Sequence, residues 1–220
     1  TSQRIDAPCQ ISEHLCITLF KTTHSHWPKT MTPTSSKFAR FADQLQIELP
    51  IIQAPMAGVQ TSALCIAVSR AGGLGSLPCA MLTPESMRIE LQCIQEQCAR
   101  PYNVNFFCHP TPMPDPQREM EWRKALSPYY KEFGINPDEV PTGAGRAPFS
   151  EAMCDVLEDF KPPVVSFHFG LPDDHLLQRV RAWGAKIFSS ATTVSEALWL
   201  ESKGVDAVIA QGLEAGGHRG

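Results

Sequence analysis

From residue 38 onward the apolar positions alternate between two patterns, short unbroken runs and longer stretches with helical spacing, and this predicts a repeating strand and helix. Residues 50–55 read as a first strand stopped by proline, and 61–70 as an apolar helix ended by Ala71-Gly-Gly73. A second strand follows over 74–79. Thr83-Pro-Glu-Ser86 then starts a helix, with Thr83 as N-cap and Pro84 in the first turn, and Met87, Leu91, Ile94 and Cys98 keep one face apolar. Residues 102–108 read as a third strand. The alternation resumes with strands over 163–170, 186–190 and 206–210, separated by helices over 173–183 and 194–202 that close at Gly184 and Gly204.

Two stretches break the pattern. Residues 109–161 form a proline-punctuated excursion, with one amphipathic helix over 119–133 anchored by Trp122 and Tyr129 and another over 150–160. These aromatics read as packing residues, because large aromatics favour burial. Residues 1–36 hold no sustained period and no leader-like apolar core, and they read as a disordered N-terminal extension. What remains, 37–220, contains six strand-helix units and implies a parallel sheet. Gln53, Asn105, His168, Ser189 or Ser190, and Gln211 all fall near strand C-terminal ends, which favours a barrel gathering its loops on one face over an open doubly wound sheet. A complete (β/α)8 TIM barrel needs about 250 residues. The expected fold is therefore α/β, a TIM barrel truncated after about six strands.

Composition narrows the chemistry. With 220 residues, 43% of them hydrophobic, and a formal charge of -4, the chain suits one α/β domain and offers no basic surface for nucleic acid. No apolar run is long enough to span a bilayer. The eight cysteines lack CxxC pairs and mostly sit in apolar periodic segments, so they read as reduced, buried thiols of a cytoplasmic protein. Neither they nor the seven histidines form a metal-ligand cluster.

Each candidate carries a bland reading beside a sharp one. Ala71-Gly-Gly-Leu-Gly75 lies after a helix and before a strand, the reverse of a dinucleotide fingerprint, and reads as a helix stop. Met56, in Gln53-Ala-Pro-Met-Ala-Gly58, is either a core methionine behind a proline turn or part of a loop under a flat cofactor. A buried Asn105 must find a polar partner, from a structural network or a ligand. His168, between Phe167 and Phe169, is either a satisfied core histidine or a functional one. His218 follows Glu214-Ala-Gly-Gly217 in the loop after the last strand, where an imidazole can act as general base or hydrogen-bond donor near neutral pH. Backbone N–H groups around Gly216 and Gly217 could form an anion-binding concavity.

Taken together, Gln53-Ala-Pro-Met-Ala-Gly58, Ala71-Gly-Gly-Leu-Gly75, Val165-Ser-Phe-His-Phe-Gly-Leu-Pro172 and Ala210-Gln-Gly-Leu-Glu-Ala-Gly-Gly-His-Arg-Gly220 resemble the nitronate monooxygenases, formerly 2-nitropropane dioxygenases. The last motif is shared with a wider flavin barrel family that includes an enoyl-acyl-carrier-protein reductase and an NADH:quinone reductase; the SFHFGLP segment narrows it. The resemblance implies an FMN-dependent TIM barrel that oxidises alkyl nitronates such as propionate 3-nitronate with O2 to a carbonyl compound and nitrite. It implies His218 as the catalytic base and His168 in the substrate pocket. It also implies FMN contacts from Ala54, Pro55, Met56, Asn105, Gln211, Gly216 and Gly217, and leaves room for a homodimer. The family's remaining phosphate loops lie beyond Gly220, so weak FMN binding is expected of these residues alone. Two other readings stay open, an FMN-dependent NAD(P)H:quinone or enoyl reductase and a non-catalytic barrel fragment.

Overall fold

The computed structural model describes residues 36–220 apart from 112, 114 and 140–145. The expected N-terminal extension thus lies, but for its last residue, outside the described residues. Helix α1 (Ser36–Leu45) leads into α2 (Ser62–Arg70), strand β1 (Gly75–Pro78), α3 (Pro84–Gln97) and β2 (Tyr102–Phe107). The excursion holds α4 (Pro116–Glu132) and α5 (Glu151–Phe160). Then come β3 (Val164–His168), α6 (Asp174–Ala182), β4 (Lys186–Ala191), α7 (Val194–Ser202) and β5 (Ala207–Ala210).

Local chemistry sets these boundaries. Thr83 caps α3 in a reciprocal box with Ser86, with Pro84 in the first turn, and Met87, Leu91 and Ile94 line its fully buried face. Thr193 and Glu196 make the same box at α7. Helix α5 ends where Lys161 turns left-handed, at φ 48°, ahead of two prolines that cannot continue it.

All strand pairs are parallel, and the sheet order is β1-β2-β3-β4-β5. A sequential order with right-handed crossovers sends the connecting helices to the same face and curves the sheet into an arc of a barrel; a doubly wound sheet would reverse direction partway. On the helix-covered face Leu77, Val104, Phe106, Val165, Phe167 and Ile187 pack with Met87, Leu91, Ile94, Leu157 and Leu177 in the main core. The other face is layered. At the N-terminal ends of the strands Leu74, Val164 and Phe188 meet Ala42, Leu45 and Ile47 from α1 and the residues after it. Above them the face turns polar, with Ser76, Asn103, Asn105 and Ser166 all buried. This places hydrogen-bonding groups under the C-terminal rim.

Two expectations need correction. The run 50–55 does not form a strand: Ile52 makes a single parallel bridge to Leu74, supported by Leu74 N to Ile51 O and Gln53 N to Leu74 O, both 2.9 Å. Pro50 and Pro55 lack the N–H groups a ladder requires, so the sheet has five strands where six were expected. Helix α4 forms as foreseen, yet none of its residues is buried, and Trp122 and Tyr129 are 63% and 58% exposed. Its tie to the rest runs through Arg123, whose Nη1 donates to Pro137 O at 2.9 Å in a short 3-10 turn, so its aromatics anchor no core.

Candidate functional site

The rim is built around the ends of β2, β3 and β4, where Phe107 pairs in register with His168 and Phe167 with Ser189. Strand β3 stops abruptly because Phe169 and Gly170 both take positive φ, 67° and 94°. For a bulky residue that backbone costs about 1–2 kcal/mol, and such strain concentrates at functional sites. Ser189 Oγ secures the turn by donating to Gly170 O at 2.9 Å. Its neighbour Ser190, on the opposite face of β4, lies 2.5 Å from His168 Nδ1. The two serines that the sequence left undivided thus have separate roles.

His168 Nε2 reaches the backbone oxygen of His218 at 3.0 Å, and Gln211 Nε2 donates to that same oxygen at 2.7 Å. Two side-chain N–H groups from different strand ends therefore converge on one oxygen. Gln211 Oε1 also accepts from Gly220 N at 2.8 Å, folding the terminal loop over the rim. The His218 ring meets Phe107 edge-on at 5.3 Å, and Phe169 packs on His168 at 4.1 Å. Half-buried among these rings, His168 has its pKa held below the ordinary 6.5, chiefly because burial penalises the charged imidazolium.

Asn105 is buried, and its amide orientation is fixed. Its Nδ2 faces both the carbonyl oxygen of Ser166, at 3.3 Å, and Ser166 Oγ, at 2.9 Å. A carbonyl oxygen cannot be met by a second acceptor, so Asn105 must turn its nitrogen there and present Oδ1 to a donor elsewhere. Beneath it Asn103 Nδ2 donates to Ser76 Oγ and Ser166 Oγ, while Asn103 Oδ1 is buried without a partner. Asn105 Oδ1 accepts no hydrogen bond among the described residues, which leaves one acceptor for a donor from a ligand.

The loop carrying Ala54, Pro55 and Met56 is fastened from behind. Ser76 N donates to Gln53 Oε1, Ser76 Oγ to Gln53 O, Gln53 Nε2 to Gln60 Oε1 and Gln60 Nε2 to Ser76 O, within 2.5–3.0 Å. With its backbone held, the loop leaves Met56 43% exposed, which is not the environment of a core methionine. Among the described residues no hydrogen bond joins 54–56 to the His168 group. Gly217 needs its glycine, at φ 79°, whereas Gly216 has ordinary φ and open space around it.

Sequence reasoning missed Gln60, Ser76 and Ser166, since each acts by holding another residue and none forms part of a motif. It also missed His109, whose ring lies 6.0 Å from Phe169 and whose Nδ1 is buried without a partner. A cleft of about 290 Å³ opens beside Ser190 and Phe169, walled by Glu196 and Trp199. Thiol chemistry at the rim is disfavoured, because burial raises the Cys108 thiol well above its ordinary range and keeps it protonated. The described cysteines are all free, and all but Cys108 are buried. Among the described residues no helix is long and apolar enough to cross a membrane, and no group of three side chains could hold a metal ion.

Comparison with known proteins points to one family. A family model described as nitronate monooxygenase matches residues 39–220. A nitronate monooxygenase of Pseudomonas aeruginosa is 43% identical over 183 residues, covering 82% of this chain and 52% of that protein. One from Paraburkholderia phytofirmans is 41% identical over 180 residues, covering 80% and 48%. Among solved structures, nitroalkane oxidase from Streptomyces ansochromogenes superposes with a TM-score of 0.69 at 39% identity, covering 81% of this chain and 50% of that one. FabK from Thermotoga maritima gives 0.60 at 28% identity, covering 82% and 46%. The chain spans about half the length of the curated relatives it matches.

Proposed function

The chain belongs to the nitronate monooxygenase family, and we propose that it serves an FMN-dependent oxidation of alkyl nitronates by O2 to a carbonyl compound and nitrite. The observation that carries this reading is that His168 and Gln211, the residues expected at the substrate and at the flavin, meet at one oxygen, the backbone carbonyl of His218, 3.0 and 2.7 Å from their Nε2 atoms, whose place a substrate oxygen would take. Two N–H groups aimed at a single point suit an oxygen bearing negative charge, as each oxygen of a nitronate does.

FMN would rest against Met56 and its loop, with Asn105 and Gln211 at the ring edge and the backbone of Gly216 and Gly217 near its phosphate side. When bound, the flavin supplies the electron transfer and the reaction with oxygen. The chain's own residues bind and orient. His168 lines the substrate pocket and donates to the substrate oxygen. With a neutral nitroalkane, His218 removes the α-proton onto a ring nitrogen, leaving the nitronate and an imidazolium. The cleft walled by Phe169 and Trp199 accepts the alkyl part of the substrate.

Purified full-length protein should be yellow with bound flavin and should release nitrite from propionate 3-nitronate in air. A colourless protein that releases none would refute the reading. If NADH bleaches the flavin without oxygen while nitronate does not, the reductase alternative takes its place.

A further inference from the structure

We propose that Ser190 is a positioning residue that donates to Nδ1 of His168 and, together with the carbonyl that Nε2 faces, keeps the ring in its Nε2–H form, making His168 a hydrogen-bond donor to the substrate oxygen and barring it from acting as the base. The proposal deepens the functional reading above and rests on it for the identity of the acceptor.

The argument starts from what each ring nitrogen faces. Nε2 faces the His218 backbone oxygen at 3.0 Å, and a carbonyl has only lone pairs to offer, so Nε2 must carry the hydrogen. A neutral imidazole has one ring hydrogen, and Nδ1 is then a bare lone pair. The group opposite that lone pair, 2.5 Å away, is the Ser190 hydroxyl, which can donate to it. The reverse arrangement would set the Nε2 lone pair against the carbonyl oxygen. The alternative, with hydrogens on both nitrogens, puts a positive charge in a half-buried site, where desolvation lowers the pKa of His168. The hydrogen bond at one ring nitrogen thus sets the state of the other.

Position and plane are fixed as well. Phe167 pairs with Ser189 across β3 and β4, so His168 and Ser190 are the next neighbours along the same ladder and point to the same face. Phe107 and Phe169 hold the ring from the sides, with centroids 5.7 and 4.1 Å away.

The consequence divides labour between the two histidines. His168 has no free lone pair: Nε2 is protonated, and Nδ1 is engaged by Ser190. It can steady a nitro or nitronate oxygen beside Gln211, but it cannot accept the α-proton. That proton falls to His218, whose exposed ring makes no hydrogen bond among the described residues.

The test reads the tautomer directly. The chain is labelled with 15N in its histidine rings, and long-range 1H–15N correlations report which nitrogen bears hydrogen; the His168 signals are identified by their loss in His168→Asn. The expected result is an Nε2–H His168 in the parent and in Ser190→Thr, with the Nδ1 resonance shifted by the hydrogen bond it accepts, and in Ser190→Ala a downfield move of that Nδ1 resonance to the position of a free lone pair while the hydrogen stays on Nε2. An Nδ1–H parent, or a Ser190→Ala spectrum unchanged from the parent, overturns the proposal. In flavin-loaded protein, Ser190→Ala should raise KM for the nitronate by about tenfold, with Ser190→Thr restoring it, the scale on which losing a partner that orients a histidine is felt. A parent that forms no nitrite refutes the functional reading and leaves the tautomer result standing by itself.

Discussion

At the scale of single residues, the rim separates proton transfer from hydrogen-bond donation, and substrates that differ by one proton can tell them apart. His218→Ala should lower kcat/KM for a neutral nitroalkane by about 10²- to 10⁴-fold, the usual worth of a general base. The same variant should act far more mildly on a preformed nitronate, which has no α-proton to lose; equal losses on both substrates would deny His218 the base role. His168 makes a second prediction. Burial holds its folded pKa below the ordinary 6.5, so between those values the unfolded chain binds more protons than the folded one. The stability it contributes is complete above 6.5 and is lost as pH falls from there through the folded value. Melting temperatures measured from about pH 7.5 down to about pH 5 should fall less steeply in His168→Gln than in the parent, by the same linkage. The sequence made His168, Gln211 and His218 legible, because glycine turns and strand ends mark such residues. Ser166 was not legible, and Ser190 only as an undivided pair with Ser189: a serine acts through where its one hydroxyl points, and only the register between neighbouring strands sets that direction.

At the scale of elements, the pairing of α2 with β1 is the tightest joint near the site. A Cβ added at Gly75 would lie 2.0 Å from the carbonyl oxygen of Cys65 and 2.7 Å from its carbonyl carbon, both backbone atoms of α2. Gly75→Ala must therefore push the helix off the strand, and urea unfolding should show a loss of about 1–3 kcal/mol or more, as for an overpacked core. Thr83→Ala, which removes only the cap of α3, should cost about 1 kcal/mol. If the two variants lost equal stability, the close approach at Gly75 would not be a constraint. The sequence read Ala71-Gly-Gly-Leu-Gly75 as one helix stop, and it is two devices. Gly72, at φ 94°, turns the chain out of α2, and Gly75 lets the strand return against the same helix. Helix periodicity exposes the first device and carries no information about the second, which depends on how close two backbones come. Residues 50–55 show the matching limit for strands. Their apolar run was plain, but whether it joined a ladder depended on the N–H groups that Pro50 and Pro55 lack.

At the scale of the whole molecule, burial is uneven across the sheet, and so should be the resistance to opening. Strands β2 and β3 each have a strand on both sides, and Val104, Phe106, Val165 and Phe167 are at most 1% exposed. Among the described residues strand β5 pairs only with β4, and Val208 and Ile209 are 37% and 41% exposed. Helix α4 has no buried residue at all. Local opening free energies follow buried apolar contact, so hydrogen exchange should be slowest at Val104, Phe106, Val165 and Phe167, intermediate in α3 and α5, and fastest in α4 and β5. The rim residues span this gradient. Asn105 and His168 stand on the slow strands, while Gln211 and His218 follow the fast one. Ligands that engage both groups bind the closed arrangement more tightly than the open one and must shift the population toward it. Adding FMN should therefore slow exchange selectively in β5 and in residues 211–220, and barely change β2 and β3, whose protection is already near the global limit. Uniform slowing across the sheet would show that flavin stabilises the fold as a whole; no change in 211–220 would mean that the terminal loop takes no part in holding it.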